Sequence, residues 1–475
     1  MIRQPGLGLL GTRTFDVLVA GGGIYGLTIA YDCAQRGLSV ALIDRGDFGS
    51  GASFNHLRTL HGGLRYLQTL DVGRARESLR ERRTFARIAP GAIRLQPFVL
   101  PLGRSLTRGA FAMRAGFMLD RLVAFDRNQG LPAALRIPAG VVLSRSETIR
   151  RFPNLDAAGL TGAAMWHDYV STESDRLTFS FAAAAAANGA TLVNYMTATA
   201  PLRDGARVTG VRASDVVSGR SIDIGARLVV NAAGAGVNKW LGAASPAAVP
   251  LVKAMNLVTR REAGYVALGG RSKSGRNLFQ VPWRNRVLFG TWESGRLSGS
   301  EDPEGSEAEI AAFIDEINQA FPSARLTLDD VTLVHRGLVP AGPETGQVAP
   351  ARHELIRDEA EGLITVAGTK YTTARAVAQR VTDRVFSKLA RPAVACRTDT
   401  TLLPFKASVD LVEAARNEMV VTLADAVIRR TPMGALGCPD DAELTSAAGI
   451  VGGALGWSAE RTISEMADVR RFYAR

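Results

Sequence analysis

Cysteine is scarce in this chain. Its 475 residues hold three, Cys33, Cys396 and Cys438, and none stand at a metal-ligand spacing. No metal site is expected, a disulfide framework is excluded as the organising principle, and a reducing cytosol is the expected compartment. Long apolar runs are missing too: no stretch of about 18 uncharged apolar residues occurs, so no transmembrane helix is expected. The first ten residues are too short and too rich in glycine for a secretory apolar region, and a strand follows at once, so a cytoplasmic protein is expected. Neither a basic tail nor a nucleic-acid recognition motif accompanies the net charge of +12, and no internal repeat is found. Nucleic acid is therefore set aside as a partner. What remains is 46% hydrophobic and 21% charged, ordinary for a globular protein of two or three domains. The basic surplus fits a solvated surface, an anionic cofactor, an anionic substrate, or contact with an acidic membrane surface.

Glycine, by contrast, is placed with purpose near the N-terminus. The segment from Phe15 to Ala30 reads as strand, glycine turn and helix start, with Gly21, Gly23 and Gly26 in the spacing G-x-G-x-x-G. Gly21 allows the tight turn, Gly23 lets backbone approach a pyrophosphate, and Gly26 lets the helix pack closely on the strand. The helix start, at Ile24 and Tyr25, offers free N–H groups and a positive dipole end to phosphate. A second strand, Ser39–Ile43, ends at Asp44, where an acid grips the ribose hydroxyls of an adenosine. Strand, glycines, helix, strand and acid in this order predict a dinucleotide site.

Downstream, a glycine- and serine-rich loop over 46–53 leads to His61-Gly-Gly-Leu-Arg-Tyr-Leu67. The arginines and glutamates of a helix over 72–88 predict an exposed face laced with ion pairs. A helix over 110–123, carrying Arg114, Asp120 and Arg121 and preceded by Arg104 and Arg108, is expected to pack into the core; its alternative is a monotopic membrane contact. An alanine-rich helix over 177–188 stops at Gly189. Strands are expected over 191–195, 207–212 and 221–224, and a buried strand from Arg227 runs into a small-residue turn ending at Gly234. Alternating segments over 251–259, 265–268, 278–282 and 287–289 predict a second, antiparallel sheet. A buried strand over 362–368 precedes a helix over 372–389, and the tail from Leu411 is mostly amphipathic helix.

Taken together, Gly-Gly-Gly-Ile-x-Gly, His61-Gly-Gly-Leu-Arg-Tyr-Leu67, Val230-Asn-Ala-Ala-Gly234, Pro282-Trp283 with Gly290-Thr291, and Gly368-Thr-Lys-Tyr-Thr-Thr373 resemble the FAD-dependent glycerol-3-phosphate dehydrogenases of the D-amino-acid-oxidase-like flavoprotein superfamily. The resemblance covers about residues 14–390 and continues weakly in the tail, which is similar to the family's helical cap. It implies FAD as cofactor and a mixed α/β and α+β fold. That fold has a discontinuous Rossmann-like FAD-binding domain (14–75, 150–250 and 330–390), an antiparallel-sheet substrate domain (76–149 and 251–329) and a small helical C-terminal domain (391–475). It implies oxidation of a small anionic hydroxylated substrate by hydride transfer to flavin N5, with electrons passed to a quinone or another acceptor at a membrane surface. His61 would take the hydroxyl proton, Arg65 would hold the substrate anion, and Lys370 would stabilise charge near the flavin. The cofactor wall would comprise Gly21, Gly23, Ile24, Tyr25, Gly26, Asp44, Arg45, Ser53, His56, Gly62, Gly63, Ala233, Gly234, Gly368, Thr369, Lys370, Tyr371 and Thr372.

The departures from the family pattern fall on the substrate side. The family's Ser-Gly-Val-Arg-Pro is Arg336-Gly-Leu-Val339-Pro340 here, so Val339 stands at the place of the substrate-anion arginine, and Arg336 compensates only if the loop is re-aimed. Lys-Gly-Ser-His becomes Lys253-Ala-Met-Asn256, and Thr-Thr-Asp becomes Thr291-Trp292-Glu293. Arg65, Asn256, Trp292 and Arg336 are the candidate substrate contacts. Losing a bidentate contact to phosphate costs about 1.5–3 kcal/mol, enough to shift substrate preference. An oxidase or dehydrogenase of another polyol phosphate, a hydroxy acid or a secondary amine is therefore the first alternative; a non-catalytic flavin-binding subunit is the second. Ser53-Phe-Asn-His56 is also similar to the Ser-Thr-Trp-His of dimethylglycine and sarcosine dehydrogenases, which makes His56 a candidate for a covalent flavin link beside its reading as a loop histidine.

Overall fold

A computed structural model describes residues 3–68, 70–105, 109–153, 155, 158–240, 248–298, 306–344 and 347–474. Two sheets organise them. The first is built on the strand Phe15–Ala20, buried along its whole length. Val40–Ile43 pairs parallel on one side and Ser221–Asn231 on the other; Thr191–Val193 and Leu363–Ala367 extend the parallel set outward. Near-continuous Val, Leu, Ile and Ala in these strands follow from burial on both faces. The helix Ile24–Gln35 covers one face, packed against Ser174–Ala187 and Ala374–Lys388. On the other face Leu7 and Leu10 of the helix Arg3–Leu10 join a cluster with Met196, Val208 and Ile224. The antiparallel pair Met196–Asp204 and Arg207–Asp215 hangs from the outer part of Ser221–Asn231.

Among the described residues the second sheet has ten strands and is antiparallel except where Ala267–Arg271 meets Ile93–Leu102. It contains the expected segments at 251–262, 277–283 and 286–297. It also takes in Gly162–Ser171 and Val331–Glu344, which lie inside the ranges that the sequence assigned to the nucleotide half. Strand membership thus does not follow those ranges: Gly162–Ser171 pairs with Ile93–Leu102, and Val331–Glu344 with Leu251–Glu262. The helix Glu307–Ala320 covers this sheet through Ile310, Phe313, Ile314 and Ile317.

Two expectations about helices are corrected. Val72–Ile88 has the expected bounds, but its charges are not simply a solvated face: Glu81 and Arg82 are buried, and Glu81 is bonded by Arg375. Ala75, Ser78, Leu79, Arg82, Phe85 and Ala86 recur at the i, i+3, i+4, i+7 spacing of one helix face, so one arginine lies on the stripe that meets the core. Conversely, Ala110–Val123 buries only Met113 and Phe117. Phe111, Met118, Leu122 and the following Phe125 form an outward stripe, 64–82% exposed, beside exposed Arg114 and Arg121. Arg108 lies outside the described residues. Among the described residues no helix is long and apolar enough to cross a membrane.

The tail forms the helices Leu411–Asn417, Asp441–Leu455 and Ala459–Tyr473 and a π-helical turn, Asp425–Arg430. It is locked to the nucleotide sheet by a buried charge cluster. Asp47, three residues beyond Asp44, accepts from Arg429 Nε at 2.6 Å and from Arg430 Nη1 and Nη2 at 2.9 and 2.6 Å. Burial raises the Asp47 pKa, but the two guanidiniums outweigh it and hold the carboxyl below its ordinary value. Arg430 also stacks on Phe179, and Arg176 forks onto Glu418. Removing one member of such a cluster leaves buried charge uncompensated. Asp47→Ala is expected to destabilise the protein by about 3–5 kcal/mol, measured as a fall in the urea midpoint of the flavin-loaded protein.

Candidate active site

The turn after Phe15–Ala20 shows why its glycines are glycines. Gly21 has φ +112°, and a Cβ there would lie 2.3 Å from the carbonyl oxygen of Ala232. A Cβ on Gly26 would lie 1.7 Å from the carbonyl oxygen of Gly21, so helix and strand touch backbone to backbone. A Cβ on Gly23 would meet only Ser53 Oγ, at 3.2 Å. Ser53 Oγ accepts from Ile24 N at 2.8 Å and fixes the loop against the helix start. Asp44 accepts from Gly22 N and Gly46 N at 2.5 and 2.8 Å. Burial pushes its carboxyl up to about 6, against the lowering effect of those bonds and of Arg45.

These residues line one end of a cavity of about 1340 Å³. Ala233 and Gly234 border it from the turn after Ser221–Asn231, and Gly368, Thr369, Lys370 and Tyr371 from the turn after Leu363–Ala367. A Cβ on Gly368 would clash with Tyr25 at 2.2 Å. The Tyr25 hydroxyl donates to Lys370 O at 2.8 Å and accepts from Lys370 N at 3.3 Å, pinning the turn that carries the lysine. Lys370 Nζ sits 3.6 Å from the centre of the Tyr66 ring. The donor set fits FAD: a glycine-lined helix start for the diphosphate, an acid placed for ribose hydroxyls, and one cavity shared by both and by Lys370.

His56 also borders the cavity. Its ring stacks on Tyr371 at 4.7 Å and 12°, and its Nδ1 accepts from Arg58 N at 3.1 Å. Burial, with Arg58 nearby, holds it neutral by lowering its pKa well below the ordinary range. Nε2 is buried and has no hydrogen-bond partner among the described residues.

His61 is not on this wall. Its ring lies 5.9 Å from Phe98 and 6.2 Å from Phe279, with its side chain 46% exposed. Its Nδ1 is 3.3 Å from Asp168 Oδ2. Asp168, on Gly162–Ser171, is buried and also accepts from Gly62 N at 2.8 Å, Trp166 Nε1 at 3.2 Å and Arg82 Nη1. Burial raises the Asp168 pKa, yet Arg82 and His61 outweigh it and bring it down to about 2. Gly62 is glycine because a Cβ would meet Arg82 Nη1 at 2.2 Å; Gly63, at φ +82°, packs on Ser78. The paired glycines therefore serve the charge pair beneath His61 and do not line the cavity. The segment that begins at His61 reaches the cavity at Tyr66.

Of the candidate substrate contacts, Asn256 lines the cavity, and its Oδ1 accepts from Thr291 Oγ1 at 2.9 Å. Arg336 borders the cavity too, but it stands opposite Met255 in regular antiparallel register. Strand alternation therefore places its side chain on the face of Met255, away from the face of Asn256 and Val339, and no re-aimed loop intervenes. Trp292 is not on the wall either: it is buried in the cluster with Met255 and Phe313, under the helix Glu307–Ala320. Thr372 is buried in the turn before Ala374–Lys388. The Arg65 side chain lies outside the described residues. Residues that sequence reasoning missed include Asp168 and two cavity cations, Arg74 and Arg276. Asp168 sits in no motif; Arg82, its partner, was detectable as the charged member of an otherwise apolar helical stripe.

The profile of a family described as FAD dependent oxidoreductase matches residues 16–384. A glycerol-3-phosphate dehydrogenase of Synechocystis sp. is 30% identical over 82% of this chain and 73% of its own length. That of Mycobacterium leprae is 32% identical over 78% of this chain, which spans only 63% of the mycobacterial protein. Among solved structures, the glycerol-3-phosphate dehydrogenase from Bacillus halodurans complexed with FAD has a TM-score of 0.75 at 22% identity, covering 99% of this chain and 96% of that one. The likeness establishes the shared fold.

Ribose hydroxyls donate to an ionised carboxylate, and Asp44 is protonated below about 6. FAD affinity is therefore expected to be full above that pH and to fall by about tenfold per unit below it. Asp44→Asn should weaken binding and flatten the dependence, measured by flavin fluorescence on equilibrium dialysis.

Proposed function

The chain belongs to the FAD-dependent oxidoreductase family and groups there with the glycerol-3-phosphate dehydrogenases, and on that basis we propose that it oxidises a small anionic alcohol of the glycerol 3-phosphate type. FAD is its cofactor and, when bound, supplies the hydride acceptor. Electrons then leave to a quinone or another acceptor. The reading is supported by the family match and by a cavity whose wall carries Arg74, Arg276 and Lys370; the His61–Asp168 pair stands off that wall, on the segment that reaches it at Tyr66. An alcohol gives up hydride readily only as its hydroxyl proton is removed, and an imidazole suits that task near neutral pH. Asp168, kept anionic by Arg82, accepts from His61 Nδ1 and leaves Nε2 to receive the proton. This is the orienting arrangement of a carboxylate behind a histidine base. Lys370, fixed through its backbone by Tyr25, holds positive charge over Tyr66, and Arg65, four residues after His61 on the short helix Leu64–Gln68, is assigned to the substrate anion.

We further propose that the outward stripe of Phe111, Met118, Leu122 and Phe125, with Arg114 and Arg121 beside it, rests on an acidic membrane surface, where a lipid-soluble acceptor is at hand. The purified flavin-loaded protein should bleach under anaerobic glycerol 3-phosphate, and Asp168→Asn should slow that bleaching by on the order of 100-fold with FAD content unchanged; no bleaching by glycerol 3-phosphate refutes the substrate. Co-sedimentation with vesicles containing anionic lipid should be lost when Phe111, Met118 and Leu122 are all changed to Ser; undiminished sedimentation refutes the contact.

A further inference from the structure

Val339 leaves the cavity without the arginine that the family's pattern puts there, yet a different arginine is already in the wall. Arg74, in the first turn of the helix Val72–Ile88, is 9% exposed and borders the cavity. Its guanidinium carbon lies 4.7 Å from the centre of the Tyr66 ring, the ring that also carries Lys370 Nζ at 3.6 Å. No carboxylate among the described residues is ion-paired with it. Asp71 is turned to the helix start, where it accepts from Arg74 N. Glu77 and Glu354 are both engaged by Arg380. Burial accordingly lowers the Arg74 pKa, with Asp71, Glu354 and Glu77 opposing only at a distance.

A buried guanidinium without a counter-ion is costly, and an aromatic face repays only part of that cost. Asp32, Asp47, Asp168 and Glu81 show how this chain otherwise treats buried arginines: each has a carboxylate at hydrogen-bond distance. Arg74 is left open toward the cavity.

We propose that Arg74, with Lys370 against the same Tyr66 ring, forms the subsite that receives the substrate's phosphate or carboxylate group, taking over the task of the arginine replaced by Val339. This rests on the reading of the cavity as a substrate site and adds the residue that sets its anion preference. A bidentate fork suits phosphate and carboxylate equally; the probes below separate them.

The test uses the FAD-loaded enzyme. Inorganic phosphate and acetate are titrated separately while flavin absorbance is followed, and glycerol 3-phosphate oxidation is measured in parallel. Phosphate is expected to perturb the wild-type spectrum, and Arg74→Met to weaken that binding on the order of 10- to 100-fold. The loss in kcat/KM for glycerol 3-phosphate should be similar and appear mainly in KM, with Arg74→Lys recovering part of it because charge is kept but the fork is lost. Acetate binding in place of phosphate would assign a carboxylate substrate. Equal phosphate and substrate affinity in wild type and Arg74→Met overturns the proposal even if glycerol 3-phosphate is oxidised. Arg74-dependent phosphate binding without any oxidation of glycerol 3-phosphate keeps the subsite and overturns the substrate reading instead. Loss of FAD in both Arg74 variants would place the residue in the cofactor site and also overturn the proposal.

Discussion

The architecture depends on one close approach, that of Gly26 to the carbonyl of Gly21. Backbone contact at this point seats the helix Ile24–Gln35 on the central strand and aims its free N–H groups at the cavity. Any side chain at Gly26 would pry helix from strand, and the remaining elements are fitted around that contact. Tyr25, next on the helix, braces Gly368 and the Lys370 turn, while Ser53 ties the following loop to Ile24. A steric constraint of a few ångströms thus positions the cofactor wall and Lys370 together.

A second theme is how this arginine-rich chain accommodates its charge. Arg58, Arg82, Arg176, Arg375 and Arg430 are nearly inaccessible, each with a carboxylate as hydrogen-bond partner. Such pairs seldom add much net stability over apolar packing, but they penalise any arrangement that separates the partners. Their positions bear this out in structural terms: Asp47 with Arg430 joins the tail to the nucleotide sheet, Glu81 with Arg375 joins two helices, and Asp168 with Arg82 sits under His61.

The nucleotide half was the more legible part of the sequence, for a physical reason. Its glycines, buried strand and terminal acid are local features, and turn sterics or period-two and helical spacing dictate them within a few residues. The helices over 72–88 and 110–123 were legible in extent for the same reason. Their environments were not: spacing alone does not say which face meets protein, so buried Arg82 was read as exposed and exposed Phe111 and Leu122 as core. The strands Ile93–Leu102, Gly162–Ser171 and Val331–Glu344 escaped because proline, arginine, histidine and aspartate interrupt their alternation. Asp168 and Arg74 escaped because their significance lies in partners, or in the lack of one, far away in sequence.

The parallel sheet also carries an implication for biogenesis. Its strands come from residues near 15, 40, 191, 226 and 363, so its outer ladder from Val229–Asn231 to Leu363–Thr365 closes only after most of the chain has been translated. Until then Val229, Val230 and their neighbours present an unpaired edge, and long-range parallel pairing is slow to form. The nascent polypeptide is thereby exposed to mispairing on the ribosome while the residues between Asn231 and Leu363 are made, a window in which chaperone protection has most to offer.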